Sequence, residues 1–344
     1  MALLLWSIMQ SEREKTNLGV SAQSSVWPPE PGAPSGEQIE IVHGDQRVVV
    51  VEVGGALRVY EVGDWAVLDG YRRDERCTAA RGQSLVPWPN RLRDGAYRFE
   101  GHDFQLALSE PAKGNAIHGL VRFANWTIAQ RERERVTMAH VLHPQPGYPF
   151  ALRLTIEYSL SDAGLMVTTT ALNVGTGSCP YGAGAHPYLS IGPDVIDAAA
   201  LKIPANRWLP SDARGIPTGV EPVDGTPYDF RQPRAIGDAQ LDTGYTDLIR
   251  DPDGSARVML QGPEGPRVAL WLDESYGYVM AFTGDALPEP ERRRRGLGVE
   301  PMTCAPNAFQ TGDGLRSLAP GESFVTRWGL EPDSSPGVTA WDQP

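Results

Sequence analysis

Five short stretches of the chain carry side chains that could move protons or hold a polar ligand. Gly182-Ala183-Gly184-Ala185-His186-Pro187-Tyr188-Leu189 sets an imidazole among small residues and just before a proline. Glycine and alanine allow close approach of another group, which suits a pocket wall, and Pro187 biases the histidine towards extended backbone. Pro87-Trp88-Pro89-Asn90-Arg91 presents Asn90 and Arg91 at the end of a segment stiffened by two prolines. The five fixed donors of Arg91 suit several hydroxyls or a carboxylate, and they equally suit a structural ion pair. Asn115-Ala116-Ile117-His118-Gly119-Leu120 places a second imidazole beside glycine. Leu241 to Leu248 contains Asp242 and Asp247, and Gly298-Val299-Glu300-Pro301-Met302-Thr303 ends an apolar run on a carboxylate held by a proline. A carboxylate and an imidazole can take one proton and give another. Each also has a plain structural reading: Glu300 as a rim salt bridge, His186 as a hydrogen-bonded turn residue.

Spacing and charge remove several other chemistries. His118 and His186 are far apart in sequence, with no HExxH or HxH pattern and no cysteine ligand nearby, so neither a metal nor another cofactor is expected. A glycosidase needs two carboxylates across the scissile bond, whereas the key places here hold one carboxylate and one imidazole. The net charge of −12 and pI near 5.0 disfavour a phosphate-backbone partner. Arg292 to Arg295 follow Leu287-Pro288-Glu289-Pro290-Glu291, a setting that reads as a solvated loop. Cys77, Cys179 and Cys304 are odd in number and lack CxxC spacing, which points to a reducing, cytoplasmic setting. The apolar Ala2 to Met9 is too short to span a bilayer and lacks a basic flank, so no membrane partner is expected.

The elements that must position these residues read as strands. The 37 glycines and 30 prolines punctuate short apolar runs throughout, as in a chain of many strands and turns. Ile39, Ile41 and Val48 to Val53 predict a hairpin about Gly44-Asp45, and Leu57, Val59 and Glu61 begin a second, closed by Gly63-Asp64. Phe150, Leu152, Leu154, Ile156, Tyr158 and Leu160 alternate with Ala151, Arg153, Thr155, Glu157 and Ser159, the pattern of a half-buried antiparallel strand. Leu165, Val167, Thr169 and Ala171 repeat it after the turn at Ser161 to Gly164. Further strands are expected at Trp126–Ile128, Val136–Leu142, Ala200–Ile203, Arg257–Leu260, Val268–Leu272, Tyr278–Phe282 and Phe324–Leu330. No helical stripe runs for three turns. The expected fold is all-β, one large antiparallel β-sandwich over residues 38–331, behind a disordered leader at 1–37 and before a polar tail at 332–344.

In order, Asn-Arg, Ile-His-Gly, His-Pro-Tyr, an aspartate with a following aromatic, and Glu-Pro resemble the aldose 1-epimerase (galactose mutarotase) family, from about Ile39 to Leu330. The wording of Pro-Trp-Pro-Asn-Arg, Thr-Asp-Leu and Glu-Pro-Met-Thr is most like the bacterial branch with sulfoquinovose mutarotase-like members. The resemblance implies a galactose mutarotase-like sandwich, no cofactor, and an isomerase that interconverts the α and β anomers of a hexose or hexose derivative. It implies Glu300 as general base and His186 as general acid, with the ionised Glu300 helping His186 keep its proton. Arg91, His118 and an aspartate would be sugar ligands, joined by Asn90 and Tyr188. Asp242 is favoured by its spacing to Tyr245, with Asp247 as rival. Trp88, Tyr188 and Trp271 are candidate stacking faces. The expected partner is a small sugar, with no nucleic acid or membrane, bound by a monomer or homodimer. Two alternatives stand beside this reading. One is an epimerase for a sulfonated or phosphorylated sugar, in which the Arg292 to Arg295 loop binds the anion. The other is a non-catalytic carbohydrate-binding or sensing protein on the same fold.

Overall fold

Period-two patterning becomes antiparallel pairing in every sheet of the computed structural model, which describes residues 33–263 and 265–333. Gln38–His43 pairs with Gln46–Val51, turning at Gly44-Asp45, and Leu57–Val62 and Trp65–Ala66 complete a four-stranded sheet. The longest hairpin joins Leu152–Ser161 to Gly164–Asn173. Leu152, Leu154, Ile156 and Tyr158 are at most 1% exposed, while Arg153 between them is exposed. Burying each such side chain is worth about 1.5–3 kcal/mol, so the register of this hairpin is held by the difference between its two faces.

Two large sheets carry the architecture. The nine-stranded sheet contains that hairpin together with Thr127–Arg131, Arg135–Leu142, Ser323–Asp333, Arg267–Leu272, Ala256–Gln261, Ala200–Lys202 and Arg234–Ala235. The eight-stranded sheet contains Asp242–Leu248, Tyr278–Phe282 and Leu297–Met302, flanked on one side by Ala205–Leu209 and on the other by the short Gly184–Ala185, Tyr188–Leu189 and Ser84–Leu85. One continuous cluster of buried apolar side chains draws on both, with Ile156, Val167, Leu270 and Leu330 from the first and Tyr245, Val279, Leu297 and Val299 from the second. Every strand expected from alternation is present, with ends that differ by at most three residues, as where the strand expected at Trp126–Ile128 runs over Thr127–Arg131. The fold is the expected all-β antiparallel sandwich.

The eight-stranded sheet is where the chain gave little warning. Leu297–Met302 is buried at all six positions, because one face meets the core and the other lines a cavity, so it reads as an apolar run without alternation. Asp242–Leu248 is broken by Gly244 and carries Asp242 at its exposed start.

At the N-terminal side, Ala33 to Glu37 are built into the domain, since the carbonyls of Ser35 and Glu37 accept hydrogen bonds from the N–H groups of Val53 and Glu52. The rest of the expected leader, residues 1–32, lies outside the described residues, as does most of the expected tail, 334–344. Pro332 and Asp333, placed in that tail by composition, belong to the long strand Ser323–Asp333. The three cysteines are free, and no helix of the described residues is long and apolar enough to cross a membrane.

Candidate active site

One transverse row of the eight-stranded sheet assembles half of the site. Asp242 lies opposite Phe282, Phe282 opposite Gly298, and Gly298 opposite Tyr188. Directly opposed residues project to one face of a sheet, and Glu300, two residues beyond Gly298, projects to that face as well. His186 enters from the short segment that ends in Tyr188, so the register of Tyr188 against Gly298 brings it to the carboxylate. Nε2 of His186 is 3.2 Å from Oε1 of Glu300, and the two residues are only 5% and 3% exposed. Gly298 leaves room for this approach: a β-carbon there would sit 3.3 Å from Cε1 of His186.

A two-stranded ribbon supplies the rest. Arg91–Arg93 pairs with Asn115–Ile117, so that Asn90 and His118 meet at the same end. Both adopt left-handed backbone, at φ 56° and 60°, which lets the chain turn away sharply after each side chain is placed. The N–H of His118 donates to the Asn90 carbonyl at 2.9 Å, and the N–H of Asn90 donates to Nδ1 of His118 at 3.2 Å. Because Nδ1 accepts, the neutral ring carries its hydrogen on Nε2 and acts as a donor there. The His118 and His186 rings meet edge to face at 5.5 Å. Arg91 is held by Glu110, with Nε and Nη2 donating to its carboxylate at 3.0 and 3.2 Å, which leaves Nη1 near Asp242 at 3.5 Å.

These groups surround a cavity of about 300 Å³ that Ala79, Ala80, Ser109, Ile117, Arg122 and Leu287 also line. Asn90, Arg91, His118, His186, Tyr188, Asp242 and Glu300 are therefore brought together as the sequence suggested. Asp247 is not. It is five residues further along the same strand, about 16 Å at strand rise, exposed and outside the cavity. Trp88 packs on Phe309 in the core, and Trp271 belongs to the nine-stranded sheet, so of the three stacking candidates only Tyr188 reaches the cavity. The Gly-Ala-Gly-Ala run does not open the pocket wall either. Gly182 and Gly184 permit close packing against Cys304 and Pro89 instead. Arg292 to Arg295 lie outside this cavity and are engaged elsewhere: Arg292 with Glu75 and Gly70, Arg293 with Leu287, Arg294 with Asp197 and Asp285, and Arg295 with Pro193. Glu110, Arg122 and Phe282 also line the cavity, and no motif in the sequence announces them. Glu110 follows an ordinary Leu108-Ser109, and Arg122 is four residues past His118.

Burial decides the protonation of the central pair. Loss of water pushes the Glu300 carboxyl up to about 8, the charge of Asp242 adds to this, and Arg91 and Asn90 oppose it. Burial, then Arg81, pushes His186 well below its ordinary value, with Arg122 and Arg91 contributing. His118 is driven down by burial and by His186. Both shifts run against the expectation that an ionised Glu300 keeps His186 protonated, because burial favours the neutral form of each group. Donor atoms of His118, His186 and Glu300 lie within 4.8 Å of one another, a spacing a metal could exploit. The surroundings do not fit one. A metal-bound imidazole donates its second N–H to an acceptor, whereas Nδ1 of His118 faces the Asn90 N–H and Nδ1 of His186 has no partner among the described residues.

The fold is that of the galactose mutarotase-like proteins. The chain belongs to the aldose 1-epimerase family, whose model matches residues 37–330. An uncharacterized protein of Escherichia coli K12, YihR, is 32% identical over 289 residues, covering 84% of this chain and 91% of its own. Human galactose mutarotase is 27% identical over 212 residues, 56% of this chain and 59% of its own. Among solved structures, the aldose epimerase homologue of C. elegans superposes with a TM-score of 0.77 at 16% identity, covering 87% of this chain and 99% of that one. A putative aldose 1-epimerase of E. coli K12 gives 0.75 at 20% identity, covering 87% and 99%.

Replacing Asp242 by Asn removes a negative charge that raises Glu300, so the Glu300 carboxyl is expected to titrate at lower pH, as followed by carbon-13 NMR of labelled glutamate. Asp247→Asn is expected to leave that titration in place. Equal behaviour of the two variants would refute the choice of Asp242.

Proposed function

We propose that this protein interconverts the α and β anomers of a free hexose by acid–base opening and closing of the sugar ring. The single observation that carries the reading is the buried Glu300–His186 pair, 3.2 Å apart on the wall of a cavity of about 300 Å³, the small end of ligand pockets. The family supports an isomerase; the assignment of roles rests on that geometry.

The pair holds one proton. With sugar bound, the proton passes from Glu300 to His186, which leaves a carboxylate beside an imidazolium. Glu300 then takes the proton of the C1 hydroxyl as His186 delivers its proton to the ring oxygen. The bond from C1 to the ring oxygen breaks, and the C1–oxygen double bond of the open aldehyde forms. Rotation about C1–C2 turns the other face of the aldehyde to the ring hydroxyl, and the same two transfers run in reverse. The shifts suit these tasks, since a carboxyl of raised pKa is a stronger base when ionised and an imidazole of lowered pKa a stronger acid when protonated. Nε2–H of His118 and Nη1 of Arg91 are donors for the sugar oxygens, and Asp242 is the acceptor for a hydroxyl. Holding the open aldehyde among them keeps it oriented for closure.

A second reading is favoured by Arg122. It lines the cavity, donates to the Ile117 carbonyl at 3.3 Å, and pairs with no carboxylate among the described residues. A hexose with an anionic substituent would satisfy it, where the Arg292 to Arg295 run cannot. Charge-assisted hydrogen bonds differ from neutral ones by roughly 1 kcal/mol or more.

Three outcomes are expected when anomer exchange is followed by NMR or polarimetry. Glu300→Gln and His186→Asn each lower kcat by about 100-fold or more with the fold intact; wild-type rates in either would end the assigned role. Ionising Glu300 without refilling the pair leaves no acid, so kcat/KM of the wild type falls as pH rises through about 8, whereas the second proton joins His186 only far below neutrality. A rate that climbs steadily through that alkaline range contradicts the one-proton pair. On the second reading, glucose 6-phosphate or a 6-sulfonated glucose exceeds glucose in kcat/KM by about 10-fold, and Arg122→Gln collapses that ratio; a ratio near one in the wild type leaves the neutral hexose as substrate.

A further inference from the structure

Against the face of the His186 ring stands a column of buried side chains. The Tyr188 ring lies parallel to the imidazole, with centroids 4.8 Å apart and planes within 12°. On the Tyr188 ring sits the guanidinium of Arg81, its Cζ 4.6 Å from the centroid. Arg81 is 1% exposed and the largest fully buried side chain of the described residues. Among the described residues its Nε donates to Asp69 at 3.2 Å, Nη1 reaches only the Thr78 carbonyl and hydroxyl at 3.5 Å, and Nη2 has no hydrogen-bond partner. Burying a cation with so few partners is costly, and a stabilising core would not require it.

The backbone that places Arg81 is itself constrained. Ala79 and Ala80 both take left-handed backbone, at φ 50° and 57°, and Gly82 follows at φ 65°. A β-carbon on Gly82 would overlap the Leu57 carbonyl oxygen at 1.7 Å. Two consecutive alanines in that region are uncommon, and such strain persists only where the surroundings enforce it. The same segment holds the histidine: the N–H of His186 donates to the Gln83 carbonyl at 3.1 Å, the N–H of Gly82 to the His186 carbonyl at 2.9 Å, and the Tyr188 hydroxyl to the Ala79 carbonyl at 3.0 Å. One strained turn thus ties together guanidinium, phenol and imidazole.

We propose that Arg81 and Tyr188 form a positioning column for His186: the Tyr188 ring fixes the imidazole plane so that Nε2 stays on Glu300, and the buried guanidinium behind it opposes a lasting positive charge on the ring. The proposal rests on the proton-transfer role given to His186 above. Arg81 touches neither the cavity nor a reacting atom, so it acts through Tyr188. The charged and titratable groups facing the imidazole are Glu300 from the Leu297–Met302 strand, His118 from the ribbon, Arg91 and Arg122 from the cavity wall, and Tyr188 with Arg81 from behind. Arg81 stands second only to burial among the influences that keep His186 unprotonated. Its cation also draws on the face of the phenol ring opposite the imidazole, where a lasting imidazolium would compete for the same ring electrons.

The test compares the acid side of wild-type full-length protein with that of Arg81→Met, Arg81→Lys, Tyr188→Leu and Tyr188→Phe. Imidazole titration is read from carbon-13-labelled histidine, and kcat/KM from anomer exchange of glucose by NMR. Arg81→Met is expected to move protonation of His186, and with it the acid limb of kcat/KM, to higher pH and to lower kcat about tenfold with little change in KM. Arg81→Lys, which keeps the charge, is expected to return the limb towards the wild-type position. Tyr188→Leu moves the limb and Tyr188→Phe does not, so the column is tested even where Arg81→Met fails to fold. A limb that stays in place in Arg81→Met and Tyr188→Leu, whatever happens to rate or stability, overturns the proposal. If wild type accelerates no aldose, the proposed function fails by itself, while the histidine titration still decides the column.

Discussion

Removing Glu300 and His186 from water while holding them 3.2 Å apart is the constraint from which the site follows. Two such groups in contact with solvent would form an ordinary ion pair of small net worth. Buried, each is driven towards its neutral form, the carboxyl upward and the imidazole downward, by the loss of water around both. Every neighbouring charge then acts as a bias. Asp242 favours the protonated carboxyl, Arg91 the ionised one, and Arg81 and Arg122 disfavour a second charge on the ring.

Holding this arrangement takes both regular and irregular backbone. The sheet contributes a row of opposed residues, Asp242, Phe282, Gly298 and Tyr188, whose spacing is fixed by main-chain hydrogen bonds and is therefore insensitive to the side chains it carries. Around that rigid row, left-handed residues turn the remaining groups inwards: Asn90 and His118 at the end of the ribbon, Ala79 and Ala80 behind the histidine. These positions cost backbone strain and recover it in hydrogen bonds that fix ring orientation and tautomer. The reciprocal contact between Asn90 and His118 is the clearest case, because it makes Nε2 of His118 a donor whatever the bound sugar.

The arginines divide into those that fasten loops and those that line the cavity. Arg292 to Arg295 form the one dense basic run of the chain, yet each has carboxylate or carbonyl partners and none faces the cavity. They fasten a loop against the domain. Arg91 reaches the cavity only after its fork is occupied by Glu110, which leaves one nitrogen forward and the guanidinium plane fixed. Arg122 reaches it with no carboxylate partner among the described residues. Local charge density in the chain was thus a poor guide to where positive charge faces the cavity.

The strands with one wet and one dry face were determined by the sequence alone, because alternation at Leu152 to Tyr158 or Ile39 to Ile41 expresses a difference between two faces. So were the stretches bearing Asn90, Arg91, His118, His186, Asp242 and Glu300, whose residue types and flanking glycines and prolines stand out locally. What only the tertiary structure decided was everything that depends on facing. Leu297–Met302, buried on both sides, shows no period; Asp242 and Asp247 share one strand, but only Asp242 stands opposite Phe282 in the row that faces the cavity. Glu110, Arg122 and Arg81 acquire their roles from partners distant in the chain. The drive of Glu300 and His186 towards their neutral forms follows from the loss of water around both groups, a property of the enclosed volume that no segment of sequence possesses by itself.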